Sequence, residues 1–248
     1  NIPHLVAPGL FVDSTKPGAS YGLSGGTSMA SPAVTGAVAL FFEHYHDQFG
    51  VNPSPALVKA AFLPVAHHLS GHLDADGQVL GHPFDSKQGW GRLNVRAVLE
   101  PPGAVRYFDQ ETILDDTGTT WSTTINPTAD LTEVRVMLAW TDAPGHGAGG
   151  LLPAWVNDLD LAVKVGDQTY YGNQFGPDGY SIPGGAPDAI NNTEGVFLAD
   201  LPPGEITLTI TAANISGDGV PNFGDATDQD FALVIYTLNK EMAHSYLF

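Results

Sequence analysis

The sequence predicts two unlike parts in series, a helical part over residues 1–102 and an all-β antiparallel sandwich over residues 103–248. Three observations predict the division. Through the first hundred residues apolar side chains recur at helical spacing. Beyond Pro101-Pro102 they alternate with polar ones at a period of two, and Gly, Pro, Asp and Asn turns cut that alternation into short segments.

Over residues 28–46, Met29, Ala30, Ala33, Val34, Ala37, Val38, Leu40 and Phe41 are apolar or small nearly all round, which predicts a helix buried in a large core. Thr27 is its expected cap, and Pro32 is tolerated near the first turn. Ser54-Pro55, a cap followed by proline at the first helical position, opens a second helix through Ala56, Leu57, Ala60, Ala61 and Leu63. A short third helix from Asn94 to Leu99 follows the turn Gln88-Gly89-Trp90-Gly91 and stops at Pro101-Pro102. About eight strands follow, at 111–114, 119–125, 133–140, 159–165, 169–171, 195–199, 205–211 and 231–238. In two of them one face reads Val134, Val136, Leu138, Trp140 and Ile206, Leu208, Ile210, which predicts half-buried strands.

Charge narrows the function. Nine Lys+Arg against 27 Asp+Glu leave a formal net charge of −18, which repels nucleic acid and anionic lipid and suits cations. No apolar run reaches the 18 or so residues of a membrane span, and the N-terminus lacks a basic and apolar leader, so a soluble chain is expected. The absence of cysteine excludes disulfides, thiolate metal sites and a cysteine nucleophile.

The segment that carries chemistry is Gly25-Gly26-Thr27-Ser28-Met29-Ala30-Ser31-Pro32, which runs into the first helix. At a helix start, backbone N–H groups lack partners and the dipole is positive, so Ser28 stands where a nucleophile's own N–H helps hold an oxyanion. An ordinary capping serine is the plainer reading of that pattern. The string Gly26-Thr27-Ser28-Met29-Ala30-Ser31-Pro32 resembles the nucleophile signature of the subtilisin-like serine proteases, the subtilases. Pro3-His4-Leu5-Val6-Ala7-Pro8-Gly9 and Gln88-Gly89-Trp90-Gly91-Arg92-Leu93-Asn94 extend the resemblance on either side. Further on, Ala139-Trp140-Thr141-Asp142-Ala143-Pro144, Val156-Asn157-Asp158-Leu159-Asp160-Leu161 and Gln229-Asp230-Phe231-Ala232-Leu233 resemble the jelly-roll domain of some bacterial alkaline subtilases.

The resemblance implies an α/β architecture for 1–102, the C-terminal portion of a three-layer subtilisin-like domain, followed by a jelly-roll sandwich over 103–248. It also implies a secreted serine endopeptidase acting on protein or peptide, with Ser28 as nucleophile and backbone oxyanion donor. Subtilases order their triad Asp, His, Ser, yet only 27 residues precede Ser28, and His4 and Asp13 among them fall in structural positions. An order with the base downstream needs Gly-x-Ser-x-Gly, and Ala30 breaks it. His44 and His46 suit a helix C-terminus, and His67, His68 and His72 are expected at the surface. The expectation is a chain silent by itself, completed by an N-terminal catalytic fragment that supplies Asp and His.

Asp158 and Asp160 share a strand face, and Asp142, Asp188 and Asn192, with Asn157, Asn191 and Glu194, are expected in loops able to meet them. Such hard oxygens suit Ca²⁺, as the resemblance also implies. Asp74-Ala75-Asp76-Gly77 begins like a calcium loop but lacks the later glutamate. The alternative function is a non-catalytic calcium- or glycan-binding sandwich module, with Trp155 and Tyr180 the aromatics that face solvent.

Overall fold

The computed structural model describes residues 3–82, 84–126, 131–145, 147, 155–202, 204–224 and 226–239. Within 3–99 lie the hairpin β1 (Val12–Lys16) and β2 (Ser20–Ser24), then helices α1 (Thr27–Phe49), α2 (Pro55–Phe62) and α3 (Val95–Leu99). Among the described residues of this part, β1 and β2 are the only named strands. Eight strands follow: β3 (Gly103–Leu114), β4 (Thr120–Ile125), β5 (Leu131–Ala139), β6 (Asp158–Val165), β7 (Gln168–Tyr171), β8 (Thr193–Ala199), β9 (Ile206–Asn214) and β10 (Gln229–Asn239). They form two antiparallel four-stranded sheets, β3-β10-β5-β8 and β4-β9-β6-β7, so the fold is mostly antiparallel β with few helices, consistent with the expected sandwich.

Local chemistry sets the helix boundaries. The Ser54 hydroxyl accepts the Leu57 N–H at 2.9 Å, and the Asn94 side chain accepts the Ala97 N–H at 3.2 Å, as the capping residues predict. The cap of α1 differs from the expected Thr27. Gly26 takes that position at φ 140, a conformation only glycine adopts readily, and Thr27 becomes the first helical residue. The hairpin β1–β2 escapes the sequence reading because its residues 12–24 carry no apolar alternation, and their exposed side chains match that.

Two cores result. Between the sheets, Val134, Val136, Leu138 and Trp140 meet Leu159, Leu161, Ile206, Leu208 and Ile210. The second core lies on the other side of the first sheet, where Met137, Ala139, Phe197, Val234 and Tyr236 pack against Leu57, Ala60, Ala61 and Trp90. β5 is therefore buried on both faces, which corrects the half-buried expectation: α2 and the Gly-Trp-Gly turn cover the face that carries Arg135 and Met137. β9 keeps the expected pattern, with Thr207, Thr209 and Thr211 alternating outward.

The long helix also departs from expectation. Only Ala37, Phe41 and Tyr45 of α1 are buried, with Phe41, Tyr45 and Phe49 meeting Tyr107 of β3 at ring separations of 6.3, 5.6 and 5.9 Å. The first half carries apolar residues on nearly every side but has neighbours on few of them, so Ala33 and Leu40 stay exposed.

The turn after residue 87 stitches this part together. Trp90 N–H donates to the His4 carbonyl at 2.9 Å, Val6 N–H to Gly91 at 3.0 Å, and Leu93 N–H to Val6 at 2.8 Å. A Cβ on Gly89, at φ 59, would stand 2.1 Å from the Pro3 carbonyl oxygen, so any side chain there would collide with the backbone of Pro3 and His4.

Candidate functional site

Ser28 is the second residue of α1 and is exposed. The 7–9 stretch is pinned beside it, since Gly26 N–H donates to the Gly9 carbonyl at 2.7 Å. The Ser28 N–H belongs to the first turn, where a helix leaves donors unpaired and the macrodipole is positive, and that turn carries no acidic residue. Next to it runs an apolar groove of about 870 Å³, lined by Leu5, Val34, Val38, Phe62 and Leu63 with Thr27 and Ala30 at the Ser28 end.

No histidine hydrogen-bonds Ser28 among the described residues. His4 lines the groove, its imidazole pKa lowered by burial and then by Lys59 and the N-terminus. His44 and His46 are exposed on the last turns of α1. His68 corrects the surface expectation: it is buried beside Arg135 and His82, and burial, then those charges, push its pKa down to about 3. Sequence position alone did not reveal this, because its neighbours His82 and Arg135 lie 14 and 67 residues further along the chain. His146 and His244 lie outside the described residues.

The acidic residues gather, but several are already engaged. Both oxygens of Asp142 accept N–H groups, from Val156 and Asn157, at 2.8 Å each. Asp188 accepts from Asn173 Nδ2 at 2.6 Å, Asn191 Nδ2 at 2.7 Å and Ile190 N–H at 3.0 Å. Asn192 donates to the Trp140 carbonyl at 3.1 Å. Asp158 and Asp160 leave β6 beside Glu194 of β8, which is fully buried. One Glu194 oxygen accepts the Leu161 N–H at 2.8 Å, whereas Oε1, and Oδ1 of Asp160, are buried without a partner.

Mutual repulsion is written into this group. Burial, then Asp160, Asp188 and Asp142, raise the Asp158 pKa from 3.8 to about 6. Burial also holds Glu194 well above its ordinary value, the Leu161 hydrogen bond opposes this, and Asp160, Asp188 and Asp158 add to it. No set of three or more His, Asp or Glu side chains among the described residues converges as a ready-made metal site, so a cation would have to draw these groups together. Glu194 corrects the loop expectation: β8 begins at Thr193, so Glu194 is the one charged side chain within that strand. Asp74 and Asp76, the partial calcium loop, are bridged by Lys87 at 3.3 and 3.0 Å.

Residues 1–91 match the profile of the subtilase family, which supports that family and a serine-protease relationship. No curated protein matches the chain. Among solved structures, one from Sulfurospirillum deleyianum aligns at 10% identity and TM-score 0.26 over 56% of this chain and 99% of its own. The P-domain of Penaeus vannamei nodavirus aligns at 12% identity and TM-score 0.23 over 53% and 94%. Overlaps this slight say nothing about function.

Proposed function

We propose that the chain is the nucleophile-bearing, C-terminal part of a secreted subtilisin-like serine endopeptidase, residues 1–102 belonging to its α/β catalytic domain and 103–248 forming a jelly roll. The strand order β3-β10-β5-β8 facing β4-β9-β6-β7 supports the jelly roll. The observation that carries the proposal is Ser28, exposed on the first turn of α1 inside the segment that matches subtilases. Ser28 Oγ attacks the scissile carbonyl of a protein or peptide and forms an acyl-enzyme, while its N–H faces the developing oxyanion. The proton goes to a histidine, oriented by an aspartate, on an N-terminal catalytic fragment, and that fragment covers the groove of Leu5, Val34, Val38 and Phe62.

Fluorophosphonate labelling with intact-mass readout tests this. The pure chain is expected to remain unlabelled, since loss of the histidine costs on the order of a millionfold in the subtilisin series that serves as the general reference. Added to the completing fragment, the chain gains one adduct, which Ser28→Ala removes. A label that survives Ser28→Ala sinks the assignment.

Calcium is the cofactor we assign to the second cluster, with Asp158, Asp160 and Glu194 as direct ligands and Asp142, Asp188 and Asn192 holding the surrounding loops. The partnerless oxygens of Glu194 and Asp160 support this, because a hard cation satisfies them and cancels the repulsion. In the metal-free chain the raised Asp158 pKa means that the folded state holds its proton longer than the unfolded state. Stability therefore falls as pH climbs from 3.8 through about 6. With Ca²⁺ present the ionised form is favoured, and the melting temperature at neutral pH rises; about 2.7 kcal/mol follows at a hundredfold excess over Kd. A melting temperature at pH 7 that ignores both Ca²⁺ and chelator removes calcium from this reading.

A further inference from the structure

The open side of the sandwich, where the edge strands β7 and β8 of the two sheets lie, carries a second cleft, of about 630 Å³. We propose that this cleft binds a neutral oligosaccharide, by an activity separate from Ser28 chemistry.

Two tyrosine rings, Tyr170 and Tyr180, stand in its lining beside Val165, Leu198 and Leu201. Both are half-buried, Tyr170 packed on the core between the sheets and Tyr180 on the core under the helices, so each ring is held in place from behind. Aromatic faces fixed in this way take the C–H face of a pyranose ring at low conformational cost.

Around the rings stand neutral hydrogen-bonding groups with capacity to spare. Tyr170 hydroxyl donates to Gln168 Oε1 at 2.8 Å, which orients the amide and leaves its two N–H groups for a ligand. Ser181 Oγ accepts the Phe197 N–H at 3.0 Å and keeps its own proton to donate. Asp178 uses Oδ1 on the Tyr180 N–H at 3.1 Å and is otherwise exposed at the rim with Asp167, where carboxylate oxygens accept from vicinal hydroxyls.

The lining contains no lysine, arginine or histidine among the described residues, so phosphate, sulfate and uronic acid ligands find no counter-charge. A basic peptide would use the carboxylates alone. Those are solvated at the rim, and the donors of Gln168 and Ser181 have no role toward a cation, which favours the sugar.

The test is calorimetric titration of the full 248-residue chain with cellohexaose, laminarihexaose and chitohexaose, alongside a heparin hexasaccharide and hexalysine. At least one neutral hexasaccharide is expected to bind, with Kd weakened at least about tenfold by Gln168→Ala at unchanged melting temperature, and by Tyr170→Ala measured at a temperature where that variant is still fully folded. No heat with any neutral sugar at about 1 mM, binding that survives both substitutions, or preference for heparin or hexalysine each overturns the proposal. The titration involves neither Ser28 nor a completing fragment, so it succeeds or fails independently of the protease reading.

Discussion

Arg135→Met is expected to lower the free energy of unfolding by about 3–5 kcal/mol, read from urea denaturation of the chain. Arg135 is 1% exposed and sits in the middle of β5. Its Nε donates to Glu133, itself buried, its Nη1 donates to the Pro64 carbonyl at 2.7 Å, and its guanidinium lies 4.9 Å from the Phe197 ring centre. Methionine replaces the aliphatic stem but supplies no charge and no donor. The Glu133 carboxylate and the Pro64 carbonyl are then left in a dry seam with nothing to bind. The double variant Glu133→Leu with Arg135→Met removes the stranded charge as well and is expected to recover most of the loss, because a buried ion pair exchanged whole for apolar side chains costs little. Equal losses in the single and double variants would show that the seam is held by shape alone.

Trp90→Ala is expected to cost about the same, roughly 3–5 kcal/mol, for a different reason. The indole is 1% exposed, with ring centres of Phe84, Phe175 and Phe197 at 4.8, 5.7 and 5.6 Å. Gly195 makes room for it on β8, where a Cβ would come within 2.7 Å of the indole. These neighbours belong to a loop, a sheet and a second loop that cannot close together over the hole, so the cavity persists. Scanning calorimetry against Trp155→Ala provides the internal comparison. Trp155 is 40% exposed and its loss should stay within about 0.5 kcal/mol. A Trp90→Ala melting temperature no lower than that of Trp155→Ala would mean that the turn does not fasten the helices to the sheet.

These two residues mark where the sequence stops being legible. Capping residues and period-two alternation are local signals, which is why Ser54, Asn94 and the Ile206–Leu208–Ile210 face are readable in advance. Which outer face of a sheet meets water is not local. Arg135, Met137 and Ala139 look like a solvent face until α2, some seventy residues away in the chain, is laid over them. His68 is misread because its neighbours His82 and Arg135 are distant in sequence. At Ser28 the residue and its helix start are legible from the Gly-Gly-Thr-Ser string, whereas the bareness of the helix flank beyond it depends on what packs there, which no spacing encodes. In the acidic group, Asp158 and Asp160 follow from strand geometry, but the hydrogen bonds that already engage Asp142, Asp188 and Asn192 join segments distant in sequence and are not readable from spacing.

The place of β10 has a consequence for how the chain is made. It occupies an inner position, hydrogen-bonded to β3 on one side and β5 on the other, and it presents Val234, Tyr236 and Leu238 to the helices. The sheet that the helices rest on is thus missing an inner strand until residues 229–239 emerge from the ribosome. Loop closure across more than a hundred residues is slow, and exposed edges of β3 and β5 wait meanwhile. Residues 27–62 leave the ribosome before the sheet they rest on is complete, so the apolar faces of Phe41, Leu57 and Ala61 stay uncovered until β10 is in place.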